Sequence, residues 1–495
     1  MILKIEGDIN KFYVQTLCMV FFPGATFGEG ETSGEDIPEV TVKVYDTAAG
    51  KTADVTLKLN DRFCEASATV TEDENILIST AASIAVGRAL FSVGKELLGH
   101  TPPWGILTGV RPAKVAVSLL GDGKGILKSK KILRDEYFLH PQKAALATAV
   151  ASAELKIIKK MQKDTASLYI SIPFCPSRCS YCSFVSYTTP RLLSMIDEYL
   201  EALIFDLEKT FETINKLGVK ITTVYIGGGT PTTLNGAQLQ RLLSKICEHV
   251  DTSTLLEFTL EAGRPDTITE EKLAIAKSCG VTRISVNPQT LNDNILKEIG
   301  RRHTADDFYR AYSLAQKSGI KDINVDIIAG LPGDDFQSFS ATVDKIIELA
   351  PTNITVHTFC VKKASDALRN NSNIYSASGG DATKCVSYSQ LKAKFAGYKP
   401  YYMYRQKNTV GNLENVGFSI EGHEGLYNIF MMEEVQTIFA VGAGSVTKLV
   451  KKNEGGTLIK RIFKPKYPYE YLRETDRGEK AKAHEAEILE FFSKE

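Results

Sequence analysis

Between Tyr169 and Phe184 the chain reads YISIPFCPSRCSYCSF, which sets Cys175, Cys179 and Cys182 at C-x3-C-x2-C directly after an apolar run of strand character. Thiolates are soft donors. Three on one short loop reach three irons of a cubane and leave the fourth without a protein ligand. An iron left open is a place for a substrate or a cofactor. A zinc site would want a fourth Cys or His at ligand spacing, and the nearest histidine, His140, lies well upstream. The remaining six cysteines, Cys18, Cys64, Cys247, Cys279, Cys360 and Cys385, are scattered singly, which argues against a disulfide framework. Of these, Cys279 and Cys360 read as core thiols.

A second segment, YIGGGTPT from Tyr225 to Thr232, again ends a strand-like run. Gly227, Gly228 and Gly229 clear side chains away, so that backbone N–H and C=O groups can approach the carboxylate and ammonium of an amino acid. Alone, such a turn is ordinary loop geometry. Four polar residues follow or interrupt later apolar runs: Glu261 ending LLEFTLE, Gln289 after RISVNP, Arg301 in EIGRRHT and Asp326 in INVDIIAGLPGD. A buried unpaired charge is costly, so each reads equally as half of a salt bridge or as a ligand contact, and as a set they point to a site. His303, His357 and His423 read as structural residues near strand ends, and none is assigned to a metal.

These residues need a frame. From Ser167 onward short apolar runs alternate with amphipathic stretches, and the predicted strands are Leu168–Ile172, Thr222–Ile226, Leu256–Glu261, Arg283–Val286, Asp322–Ile328 and Ile354–Phe359. Parallel neighbours need a crossover, which is usually helical, so six such units predict a partial or full α/β barrel over residues 161–365. Parallel barrels gather their sites at the C-terminal ends of the strands, the rim where all the residues above would meet. Residues 1–160 predict an α+β domain, with strands at Val40–Tyr45 and Ala53–Leu59 and helices near Ile84–Leu98 and Gln142–Gln162. Its PPWGILTGVRP segment, Pro102 to Pro112, holds the only Trp and predicts an ordered loop. Residues 366–495 predict a C-terminal α+β extension covering the substrate. It has a surface loop at Asn370–Thr383, an aromatic run at Tyr398–Tyr404, a VGAGS turn within Gln436–Thr447 and a charged helix at Glu479–Ser493.

Composition narrows the function classes. The 495 residues are 43% hydrophobic, and Lys plus Arg equals Asp plus Glu at 59 each, so no global charge draws the chain to nucleic acid. With no signal peptide and no apolar run of spanning length, the expectation is a cytoplasmic protein without a membrane span.

The two motifs resemble those of the radical S-adenosylmethionine proteins grouped with oxygen-independent coproporphyrinogen III oxidase and its relative, the haem chaperone. The resemblance spans about residues 165 to 445. PWGILTGVRP, YYMYRQKNTVGNLENVG and EEVQTIFAVGAGS extend it to the N-terminally extended, coproporphyrinogen dehydrogenase-like branch. It implies a radical-SAM partial (β/α)6 TIM-like barrel holding a 4Fe–4S cluster and S-adenosylmethionine. Tyr169 would lie beside the cluster or cofactor. Gly227, Gly228, Gly229 and Thr230 would hold the methionine part, and Glu261, Gln289, Arg301 and Asp326 would contact the methionine and ribose groups. The implied reaction is the oxidative decarboxylation of two propionates of coproporphyrinogen III to vinyls, in a monomer served by an unidentified low-potential electron donor. Such a tetrapyrrole calls for cations, supplied by Arg178, Arg405 and Lys407, and for a flat wall, supplied by Tyr401, Tyr402 and Tyr404; these residues read equally as solvated charges and core rings. Two positions depart from the oxidase pattern: Ser171 stands where that family has His, and Phe184 where it has a further Cys. Phe184 resembles the haem chaperone group, which binds haem without decarboxylation. A radical methyltransferase or a haem-degrading enzyme is a further alternative.

Overall fold

A computed structural model describes residues 1–28, 37–71, 80–182, 187–360, 380–407, 409–453, 456–474 and 476–493. Its first sheet comprises β1 (Ile2–Glu6), β2 (Glu39–Thr47), β3 (Gly50–Leu59) and β4 (Arg62–Val70), hydrogen-bonded in that order. The helix Ala81–Leu98 covers it, burying Ile84, Val86, Leu90 and Val93. Thr80 caps the start of this helix, and Gly99, in the left-handed region, ends it.

The central layer is built from β5 (Thr165–Ile172), β6 (Lys220–Gly228), β7 (Glu257–Glu261), β8 (Arg283–Ser285), β9 (Asp322–Ala329) and β10 (Asn353–Thr358), each close to its predicted span. They pair in chain order and all parallel. Amphipathic helices such as Ile196–Leu217, Gly236–His249 and Ala305–Lys317 make the crossovers. Asn235 with Gln238, and Thr304 with Asp307, form reciprocal caps that fix where two of these helices begin. Leu168, Ile170, Val224, Ile226 and Phe258 are fully buried, as strands covered on both faces require. This is the expected mixed α/β partial barrel.

A row of six parallel strands leaves two raw edges, and unpaired strand edges need covering. Beside β10 lie β12 (Glu414–Ser419) and then β11 (Lys399–Arg405), both pairings antiparallel. At the other edge β13 (Thr437–Val441) pairs parallel with β5, followed by β14 (Val446–Asn453) and β15 (Gly456–Phe463). The stretch after residue 366 thus prolongs the barrel sheet at both ends. The loop expected at Asn370–Thr383 falls outside the described residues up to 379. Its last residues differ from expectation, because the helix Gly380–Phe395 has already begun and buries Ala382, Cys385, Val386 and Ser389 on one face.

The PPWGILTGVRP segment is an ordered loop clamped to these edge strands. Buried Trp104 donates its Nε1–H to Glu414 at 2.9 Å, and the same carboxylate accepts from Lys143 Nζ and Gln390 Nε2, both at 2.6 Å. Arg405 N–H bonds Val110 O at 2.7 Å, and its guanidinium reaches Leu107 O at 2.6 Å. Among the described residues no helix is long and apolar enough to cross a membrane.

Candidate functional site

The cysteine loop leaves the end of β5 and is held by backbone bonds from Cys175 N to Tyr187 O and from Ser180 N to Ile299 O, both 3.0 Å. Cys175 and Cys179 are buried and Cys182 is partly so. Burial pushes the Cys175 thiol up to about 11, against the pull of the Thr230 hydroxyl 3.3 Å away and of Arg264. Metal binding strips such protons. Among the described residues no three His, Cys, Asp or Glu side chains converge to hold a single ion; thiolates that each bind a different iron of a cubane need not converge.

The three glycines serve packing as well as access. Gly229 N–H bonds Ile172 O at 2.8 Å and Thr230 N–H bonds Phe174 O at 2.7 Å, tying the end of β6 to the cysteine loop. A Cβ on Gly229 would lie 2.6 Å from Phe174 O, a backbone atom with nowhere to go. Gly228 has φ +107° and a Cβ there would meet Ser171 Oγ at 2.9 Å. We expect Gly229→Ala to push the loop out and to lower iron uptake at least tenfold while leaving the chain folded, read by iron analysis beside circular dichroism; full iron uptake would refute the close approach.

Gly228, Gly229 and Thr230 face a cavity of about 480 Å³ that runs from this rim down between the strands. Glu261, Gln289, Arg301 and Asp326 all line it. Glu261 ends β7 and accepts a hydrogen bond from Tyr225 OH. Burial pushes its carboxyl up to about 7, the Tyr225 bond opposing and the Asp326 charge assisting. Asp326, on β9, accepts from Asn287 Nδ2 at 2.8 Å and Asn324 Nδ2 at 2.7 Å, and lies 3.6 Å from His357 Nε2. Burial alone would raise it, but His357, Asn324 and Thr355 outweigh burial and hold it below the usual carboxylate value. Gln289 has φ +70°, a strained backbone for a side-chain-bearing residue. It is 7% exposed and its Oε1 has no hydrogen-bond partner. Arg301 donates Nη1–H to Asn287 O at 2.5 Å while its Nε finds no acceptor, and Ser285 Oγ on the same wall is also unsatisfied. Orphaned buried polar atoms around one cavity are the mark of an absent ligand. A carboxylate acceptor, an amide oxygen and a guanidinium suit the two charged ends of an amino acid, so this wall fits a cofactor with a methionine moiety.

Other expected contacts fall elsewhere. Tyr169 is behind the wall, stacked on Tyr225 and Tyr427 with centroids 6.1 and 6.3 Å away. Gly227 packs against the Tyr225 ring and Glu261 instead of facing the cavity. Arg178 is exposed and does not line the cavity, because Ser177 turns inward to bond Gly300 O at 3.0 Å and leaves the next side chain outward. Arg405 is also corrected: its guanidinium is spent on Leu107 O and Asn412 and lies 5.9 Å over the Trp104 ring. Lys407 sits 3.8 Å over Phe12, outside the cavity. Tyr401, Tyr402 and Tyr404 do line it. His357, expected to be structural, joins them, with Tyr404 OH 3.2 Å from its Nδ1. His423 bonds Asp322 in a buried ion-pair network with Arg283. Burial, followed by Arg301 and Arg264, pushes His303 down to about 3. Cys360 borders the cavity, its Sγ 3.0 Å from Lys407 O. Ser171 Oγ donates to Ala443 O at 2.8 Å, and Phe184 lies outside the described residues. Arg264, whose guanidinium meets Cys179, was missed; in sequence it is one more polar residue of a Gly-Arg-Pro turn.

Residues 169–346 match the model of the Radical SAM superfamily. The chain is 38% identical over 376 residues, 75% of either chain, to the oxygen-independent coproporphyrinogen-III oxidase-like protein HemZ of Bacillus subtilis (strain 168). It is 30% identical over 285 residues to the haem chaperone HemW of Lactococcus lactis subsp. lactis (strain IL1403), covering 58% of this chain and 70% of that one. Among solved structures, coproporphyrinogen III oxidase (HemN) from Escherichia coli, a radical SAM enzyme, aligns at 21% identity with a TM-score of 0.48, over 63% of this chain and 75% of that one. The chain is a member of the radical SAM superfamily. Within it, the chain belongs to the family that includes HemZ and HemW, and its cofactors are a 4Fe–4S cluster and S-adenosylmethionine.

Proposed function

We propose that this chain is a cytosolic enzyme that holds the cluster on Cys175, Cys179 and Cys182, binds S-adenosylmethionine across Gly228, Gly229, Glu261, Gln289 and Arg301, and decarboxylates propionate side chains of coproporphyrinogen III to vinyls. The carrying observation is the set of unsatisfied buried groups, Gln289 Oε1 and Arg301 Nε, on the wall shared with the three cysteines. When bound, cluster and cofactor together supply a carbon radical able to take a hydrogen atom from an unactivated C–H bond. The residues bind and orient. Glu261, when ionised, would accept from the ammonium, Arg301 would meet the carboxylate, and Asp326, held ionised by His357, Asn324 and Thr355, would accept from ribose hydroxyls. Tyr402 and Tyr404, with near-parallel rings 15° apart, and Tyr401, tilted 51° from Tyr402, offer apolar surface to the ring and help exclude water. Similarity to HemZ supports the substrate, and a low-potential electron donor completes the proposed partners.

The test is anaerobic incubation with reductant, S-adenosylmethionine and coproporphyrinogen III. The expected product has twice lost CO2 plus two hydrogens by mass; cofactor cleavage without that loss sinks the decarboxylation. One observation favours a haem-binding role as second reading: among the described residues, the cavity wall has no lysine and its arginines bond to protein groups. Tight haem binding without mass loss would establish it.

Glu261 makes cofactor binding pH-dependent. With the carboxyl near 7, affinity for S-adenosylmethionine should rise about tenfold from pH 6 to 8, because only the ionised form accepts from the ammonium. Stability moves oppositely. A folded value above the unfolded one means that the bound proton stabilises the apo chain below the ordinary carboxylate range, and that this contribution is lost as pH rises through about 7. Glu261→Gln should flatten both profiles in calorimetric titration and denaturant melts; an unchanged affinity profile would remove Glu261 from the binding scheme.

A further inference from the structure

Arg264 follows β7 and is 3% exposed, yet its partners are all uncharged protein groups or sulfur. Nη1 donates to Ser177 Oγ at 2.9 Å, and Nη2 to Ser177 O at 2.6 Å and to Cys179 Sγ at 3.1 Å. Among the described residues no carboxylate pairs with it. A permanently charged guanidinium buried without a counter-ion is strongly unfavourable, so the balancing negative charge has to come from what it touches, and among the described residues Cys179 Sγ is the touched atom that can carry one. Arg301, also buried, lines the same cavity as that sulfur. Cys175 takes a different side-chain hydrogen-bond partner among the described residues, the Thr230 hydroxyl at 3.3 Å. The main chain that carries the guanidinium is tied down: Thr267 N–H and Oγ1 both bond Arg264 O, and Thr267 is tied to Thr232 beside the glycine turn.

From this geometry we infer that Arg264 is a positioning residue that sets the reduction potential of the cluster through its charge-assisted N–H···S bond to Cys179. The inference rests on the three-cysteine site proposed above. Hydrogen bonds and positive charge at cluster sulfurs favour the reduced form. Reduction takes up one electron from a low-potential donor and no proton, so the added negative charge is met by a fixed cation in a water-poor pocket. The cluster is thereby easier to reduce than an identical one facing neutral groups.

Wild type, Arg264→Gln and Arg264→Lys are reconstituted anaerobically, assayed for iron and sulfide, and titrated with dithionite and redox mediators by electron paramagnetic resonance, without S-adenosylmethionine. Gln keeps a donor and removes the charge. The expectation is full iron and, at fixed applied potential, a reduced-to-oxidised ratio about tenfold lower, equivalent to about 59 mV for one electron; Lys should fall between. A merely structural role would move iron content and not potential. Full iron with an unchanged ratio in Arg264→Gln overturns the inference. So does loss of iron from both variants when circular dichroism shows them folded, because Arg264 is then only scaffolding. Wild-type protein that takes up no iron would instead overturn the three-cysteine site itself, which keeps the two failures apart.

Discussion

Cys179→Ala is expected to purify as a folded protein that takes up no stable cluster on anaerobic reconstitution and releases 5′-deoxyadenosine only at background. The reason is arithmetic of ligands. A cubane on three thiolates has one iron free for the cofactor, and losing a thiolate leaves a second iron without protein anchorage. Cys175→Ala and Cys182→Ala should behave alike, with losses well beyond the roughly 10–100-fold that removal of an outer partner costs a metal site. Cys385, buried in the helix Gly380–Phe395 away from the cavity, provides the control: Cys385→Ala should keep its iron. Iron content and deoxyadenosine release unaffected by any one of the three exchanges, or zinc in place of iron, would end the cluster proposal.

The largest stability effect is expected at Glu414. Its carboxylate has no exposed surface and serves Lys143, Trp104 and Gln390 at once. Burial pushes its proton affinity up, but Lys143, Trp104 and Gln390 more than reverse this and hold it ionised. Glu414→Ala leaves the Lys143 ammonium buried and unpaired, and breaking such a pair costs about 3–5 kcal/mol. Glu414→Gln keeps the shape and part of the bonding and should cost less. Urea melts followed by Trp104 fluorescence give the measurement directly, since the indole is one of the three donors. A change under about 1 kcal/mol for the Ala variant would mean that the clamp contributes little.

The barrel was legible because its strands are near-continuous apolar runs that end in polar or glycine residues, a pattern that crossover helices impose. The candidate site was legible where chemistry is written in spacing or at strand ends: the three cysteines, Glu261, Gln289, Arg301 and Asp326 all line one cavity. It failed where direction matters. Arg178 lies between two inward residues of the cysteine loop and points out. Arg405 looked free for a substrate, yet alternation along β11 aims it at the Trp104 loop, whose carbonyls it satisfies. His357 and Arg264 were hidden because their value comes from contacts made across long sequence separations, to Asp326 and Tyr404 for one and to Cys179 for the other.

The pairing of β5 with β13 carries a consequence for biogenesis. The strand that presents the cysteines gains its second neighbour only when Thr437 to Val441 arrive, roughly 270 residues downstream. At ribosomal speeds of about 5–20 residues per second, that edge stays uncovered for roughly a quarter of a minute to a minute. Iron delivery that waits for release from the ribosome would meet a finished pocket; earlier delivery would meet one with a side missing.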